Sequence, residues 1–122
     1  EIDKALIETC KSFEEVKIIE YTVGPKIENN NQKSHHQWLI EFEKEPKNLY
    51  DFEKKLDLNL QKLNPYYKDL IQGKVLTTLK IKTLKKKSFI NFMKSIGKLG
   101  GQNKVPRISN NRKIINEILK SN

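Results

Sequence analysis

Cysteine occurs once, at Cys10, so the chain can build no internal disulfide and no cysteine-only zinc site. A reducing, cytoplasmic setting is the expectation that follows. Arginine is nearly as scarce, with Arg107 and Arg112 set against 22 lysines. No apolar run approaches the length that spans a bilayer, and no signal-peptide pattern precedes the first helical segment. There is no internal repeat, no Walker pattern, and no Ser/His/Asp or Cys/His arrangement of a self-contained catalyst. What remains is 122 residues, 36% hydrophobic and 32% charged, enough for one globular domain with its own core. The chain opens at Glu1 instead of methionine, which leads us to expect a piece of a longer polypeptide.

The charge is unevenly distributed. Residues 1–73 carry 11 lysines against 14 acidic side chains, whereas residues 74–122 carry 11 lysines and both arginines against Glu117 alone. The basic half is therefore expected to face a phosphate-bearing ligand or another polyanion. Both arginines lie in or just after the segment 98–107. Their planar fork of donors predicts a geometry-dependent contact for Arg107, to a carboxylate, a phosphate or backbone carbonyls.

Hydrophobic periodicity divides the chain into eight elements. Ile2, Leu6 and Cys10 predict a helix over 2–12. Residues 16–23 predict a strand with Ile19, Tyr21 and Val23 on one face and Val16 and Ile18 on the other. Gly24-Pro25 should stop it, and 28–34 reads as an exposed loop. Residues 37–43 alternate, with Trp38, Ile40 and Phe42 inward and Gln37, Glu41 and Glu43 outward. That predicts a half-buried strand antiparallel to the first. A long helix is expected over 48–63, ended by Asn64-Pro65, with a further helical turn or two over 66–71. Then come a strand over 76–84, a helix marked by Phe89, Phe92, Met93 and Ile96 that ends at Gly97, and a last helix over about 112–119 capped from Ser109-Asn110-Asn111. The order αββααβαα predicts an α+β fold, a small antiparallel or mixed sheet of about three strands packed with helices as a two-layer sandwich.

Most other chemistry-bearing residues have plain readings. Adjacent His35 and His36 on an extended chain point to opposite faces, with no third ligand nearby, so no metal site is expected. Trp38, Tyr21 and the phenylalanines fall on apolar faces and read as core. Of Tyr66 and Tyr67, one ring is expected inside and the other beside a groove. Lys85-Lys86-Lys87, taken with Lys80, Lys82, Lys94 and Lys98, gives the alternative reading of a small basic nucleic-acid-binding or interaction module. The lack of exposed aromatics and arginines weighs against it.

The segment Lys98-Leu99-Gly100-Gly101-Gln102-Asn103-Lys104-Val105-Pro106-Arg107 stands apart. Two glycines free the backbone, an amide pair and a lysine follow, and Pro106 stiffens the exit, which predicts a shaped basic loop that handles an anion. This motif, continued by Ile108-Ser109-Asn110, closely resembles the C-terminal segment of the acyl acid amido synthetases, the auxin-responsive Gretchen Hagen family of plants and its bacterial relatives. His36-Gln37-Trp38-Leu39-Ile40-Glu41-Phe42-Glu43, Leu63-Asn64-Pro65-Tyr66-Tyr67 and Ser88-Phe89 through Met93 match in order, so the resemblance covers most of the chain. Asn103 and Val105 depart from the plant pattern, which has an aromatic before the lysine and a threonine after it, and point to the bacterial branch.

The resemblance implies a two-domain, adenylate-forming enzyme. Such enzymes activate a carboxylic acid with ATP and Mg²⁺ to an acyl-adenylate, then transfer the acyl group to an amine or amino acid. It implies that residues 1–122 are a single domain, the mobile C-terminal lid. The N-terminal adenylating domain of the same polypeptide would hold most of the ATP and Mg²⁺, and the isolated chain would be inactive. By the same resemblance Lys104 is the catalytic lysine, its ammonium bridging the acyl carboxylate and the α-phosphate. Lys98, Gln102, Asn103 and Arg107 are the accompanying nucleotide- or phosphate-binding residues. Rotation of the domain after adenylation would admit the amine. No membrane contact is expected, and nucleic acid is not the implied partner.

Overall fold

Side-chain caps and prolines set the helix limits. The computed structural model describes residues 1–27, 34–97 and 105–120. Helix α1 (Ile2–Lys11) leads into β1 (Lys17–Lys26), and β2 (His35–Lys44) follows. Helix α2 (Leu49–Leu63) starts where Asn48 accepts the Asp51 N–H at 3.1 Å. Asn64 ends α2 and in the same position caps α3 (Pro65–Gln72), accepting the Tyr67 N–H at 3.0 Å with Pro65 in the first turn. Strand β3 (Lys80–Leu84), α4 (Ser88–Ser95) and α5 (Lys113–Lys120) complete the expected order. Of the loop expected over 28–34, residues 28–33 lie outside the described residues.

The sheet has the order β1-β2-β3, with β2 antiparallel to β1 and parallel to β3. It is the mixed α+β architecture expected, a three-stranded sheet packed with helices, which lie against both of its faces. On one side Trp38, Ile40 and Phe42 pack with Ala5 and Leu6 of α1, Phe52, Leu56 and Leu60 of α2, and Tyr67 of α3. On the other, Leu39 packs with Phe89, Phe92 and Met93 of α4 and Ile115 and Ile118 of α5. Strand β2 is therefore buried on both faces rather than half-buried, and even Glu41 is only 2% exposed.

Three local readings change for physical reasons. The β1–β2 register slips at its start, where Ile18 faces Phe42 and Glu20 faces Glu41, so Ile19 has no counterpart. This bulge resets the alternation. Ile19 turns outward, while Val16 and Ile18 join Tyr21 and Val23 in one core. Gly24-Pro25 does not stop β1, which runs on to Lys26 with Pro25 facing His36. An edge strand tolerates proline, and a Cβ at Gly24 would crowd the Ile115 Cδ1 of α5, so that side chain would have to shift. Strand β3 is shorter than the 76–84 expected, because the preceding backbone bonds elsewhere. The Leu79 N–H donates to Asp57 at 3.0 Å; within β3 itself, the Ile81 N–H donates to Glu53 at 2.8 Å.

Candidate functional site

Arg107 and its neighbours run along the outer edge of β1. The Val23 N–H donates to the Arg107 carbonyl at 2.9 Å, and the Ser109 N–H returns to the Val23 carbonyl at 2.9 Å. This forms a short parallel bridge between Val23 and Ile108. One residue earlier, the buried Thr22 hydroxyl donates to the Pro106 carbonyl at 2.6 Å. Val105 is buried in the second core with Leu39 and Ile115. The 105–109 stem is thus fixed to the sheet at successive positions.

Arg107 makes a carboxylate contact of the kind predicted for it, and Arg112 is held as well. The Arg107 guanidinium pairs with the Glu20 carboxylate and lies 4.5 Å over the Tyr21 ring. Arg112 donates to the Pro25 carbonyl at 3.0 Å and to the Gln37 side-chain oxygen at 2.8 Å. Asn111 accepts the Lys113 N–H at 3.0 Å and so starts α5. Lys98, Gln102, Asn103 and Lys104 lie outside the described residues. What the structure supplies for them is the frame, with α4 and Gly97 (φ +70) on one side and the 105–109 stem on the other.

Alternation along β2 points Glu41 to solvent; its carboxylate instead holds the start of α4. It accepts the Lys87 N–H at 2.8 Å and the Phe89 N–H at 2.9 Å, an anion at the N-terminus of a helix. Lys87 adopts φ 73 to present its N–H, so the third lysine of the run has a local backbone role. Lys80, Lys82, Lys85, Lys86 and Lys94 are exposed.

A second buried carboxylate, Asp57 of α2, organises the opposite layer. It accepts the Tyr67 hydroxyl at 2.5 Å, the Gln61 amide at 2.6 Å and the Leu79 N–H at 3.0 Å. Burial and, after it, the bond to Asp57 push the Tyr67 hydroxyl far above the usual tyrosine range. Tyr66 is 73% exposed, so the tyrosine pair divides as expected, one in and one out. A cavity of about 200 Å³ lies beside Asp57 between Tyr50, Glu53 and Thr78.

The two histidines part ways, with His35 buried and the His36 ring stacked on Tyr67 at 5.2 Å. Burial lowers the His36 pKa from its ordinary 6.5, and the nearby Asp57 charge opposes this. The folded chain therefore prefers neutral His36, while the unfolded chain takes up the proton first as pH falls. Stability should be full above about pH 6.5 and should be lost as pH drops from there through the lowered folded value. His36→Phe keeps a ring over Tyr67 and should flatten that part of the profile, read as urea midpoints between about pH 7.5 and about pH 5. An unchanged slope in the variant would assign the acid sensitivity to another group.

Among the described residues no group of three or more His, Cys, Asp or Glu side chains could hold a metal ion. None of the described helices is long and apolar enough to cross a membrane. Burial raises the pKa of the half-buried Cys10 thiol, which makes it a poor nucleophile.

Residues 1–113 match the GH3 family C-terminal domain. The chain belongs to the GH3 family. Its fold is shared with two solved GH3 structures of acyl acid amido synthetases. A structure of GH3.15 acyl acid amido synthetase aligns with TM-score 0.77 and 20% identity over 99% of this chain. AtGH3.15 acyl acid amido synthetase in complex with 2,4-DB aligns with TM-score 0.75 and 17% identity over 98%. This GH3 chain spans 23% of the length of each. No curated protein matches it.

Proposed function

We propose that this GH3 domain is the C-terminal lid of an ATP-dependent acyl acid amido synthetase of the bacterial branch. Such an enzyme adenylates a carboxylic acid and passes the acyl group to an amine or amino acid. The observation that carries the reading is the family match over residues 1–113, which takes in the whole 98–107 motif. In this reading a preceding adenylating domain of the same polypeptide holds most of the ATP and Mg²⁺. Lys104 enters its site, and its ammonium bridges the acyl carboxylate and the α-phosphate as charge develops between them. Lys98, Gln102, Asn103 and Arg107 are the accompanying phosphate-binding residues in this reading, Arg107 through the part of its guanidinium that Glu20 leaves exposed. Rotation of the domain then withdraws Lys104 and opens a path for the amine.

The alternative of a basic nucleic-acid module is not favoured, since the family match accounts for the basic loop. The test is carboxylate-dependent ATP–pyrophosphate exchange. The complete gene product should catalyse it, and residues 1–122 alone should not. Exchange that does not depend on added acid, or full exchange by the isolated chain, would overturn the proposal.

A further inference from the structure

We infer that Thr22 and Glu20 of β1 are positioning residues that set where the Lys104 end of the loop stands, an inference that rests on the role proposed above for Lys104. Neither lies in the motif, and each is more than 80 residues from the stem residue it holds. Three features act together on the few residues after Lys104. The side chain of Val105 is 5% exposed in the second core, so the peptide after Lys104 starts from a buried anchor. Pro106 fixes its own φ and confines Val105 to extended backbone, which removes most of the freedom of that joint. The Pro106 carbonyl then takes the Thr22 hydroxyl at 2.6 Å.

Glu20 fixes the next step. It pairs with the Arg107 guanidinium, which lies over Tyr21, while the Arg107 carbonyl takes the Val23 N–H at 2.9 Å. Successive residues of one strand edge thereby hold successive residues of the stem. Thr22 is 0% exposed, yet its hydroxyl bonds to the stem and not within its own strand. A valine would fill the same space. The second helical layer has anchors of its own, in the contact of Gly24 with Ile115 and in the two bonds of Arg112. The Thr22 hydroxyl therefore orients the stem and does not carry the fold.

The experiment uses the complete enzyme and compares Thr22→Val, Thr22→Ser and Glu20→Gln, with Lys104→Ala as the reference. Thr22→Val should speed hydrogen exchange in peptides covering 20–25 and 105–112. It should lower kcat of acid-dependent pyrophosphate exchange about tenfold, with KM for ATP little changed, because a small misplacement of a reacting group acts on the chemical step. Amide formation from supplied acyl-adenylate should stay within about twofold of wild type, and Thr22→Ser should restore most of the loss. Glu20→Gln should act in the same direction. Unchanged hydrogen exchange in the stem, a faster-exchanging stem with unaltered adenylation, or parallel loss of both half-reactions would each overturn the inference. Full pyrophosphate exchange by Lys104→Ala would instead overturn the role of Lys104 itself, so the two failures are distinct.

Discussion

Replacing Lys104 by alanine in the complete enzyme should cut acid-dependent pyrophosphate exchange by about 10²–10³, the range for removing one preorganised charge from a closed site. Amide formation from a supplied acyl-adenylate should fall far less, because in the proposed cycle Lys104 has left the site by then. The asymmetry between half-reactions is the informative quantity, since misfolding would lower both. Lys104→Arg should recover little, because a planar guanidinium on a longer stem does not reproduce a compact ammonium between two oxygens. Parallel rate measurements on the two half-reactions decide the matter. Equal losses would remove Lys104 from the adenylation step.

The second large effect is on stability. Glu41→Ala should cost about 3 kcal/mol and lower the Tm by about 10 °C, because two buried helix N–H groups lose a charged acceptor at once. The carboxylate is 2% exposed and stands between β2 and the first turn of α4. Glu43→Ala, two residues along the same strand and exposed, should stay within about 0.5 kcal/mol. Urea titration of the two variants side by side tests the contrast. A Glu41 variant as stable as the Glu43 variant would show that α4 finds its start without the strand.

The order of the eight elements was legible because each signal is local. Asn64-Pro65 announces the end of α2, and the apolar spacing of α2 and α5 shows the period of a helix. The rarity of arginine also pointed to a side-chain contact for Arg107, which Glu20 supplies. What the residues did not disclose depends on partners distant in sequence. Alternation along β2 assigns Glu41 to solvent, and only the arrival of α4, 46 and 48 residues later, makes that side interior. The bulge at Ile19 breaks the parity on which the facing of Val16 and Ile18 was read, and a period of two contains no mark of a bulge. Gly24 reads as a stop when seen alone and as a seat for Ile115 once α5 is in place. The same limit applied to the candidate site. The motif named the loop, whereas Glu20 and Thr22, which hold its stem, look like ordinary strand residues.

The two carboxylates of α2 that accept the Leu79 and Ile81 N–H groups have a consequence for how this molecule behaves in a crowd. Backbone donors on the outer side of a border strand are what a neighbouring chain needs to extend a sheet from one molecule to the next. Glu53 and Asp57 occupy those donors along β3, and the 105–109 stem occupies the opposite border around Val23. A three-stranded sheet so small would ordinarily invite recruitment by its own copies. Here the chain's own groups take up part of each margin, which shortens the free edge from which strand upon strand could grow into an aggregate.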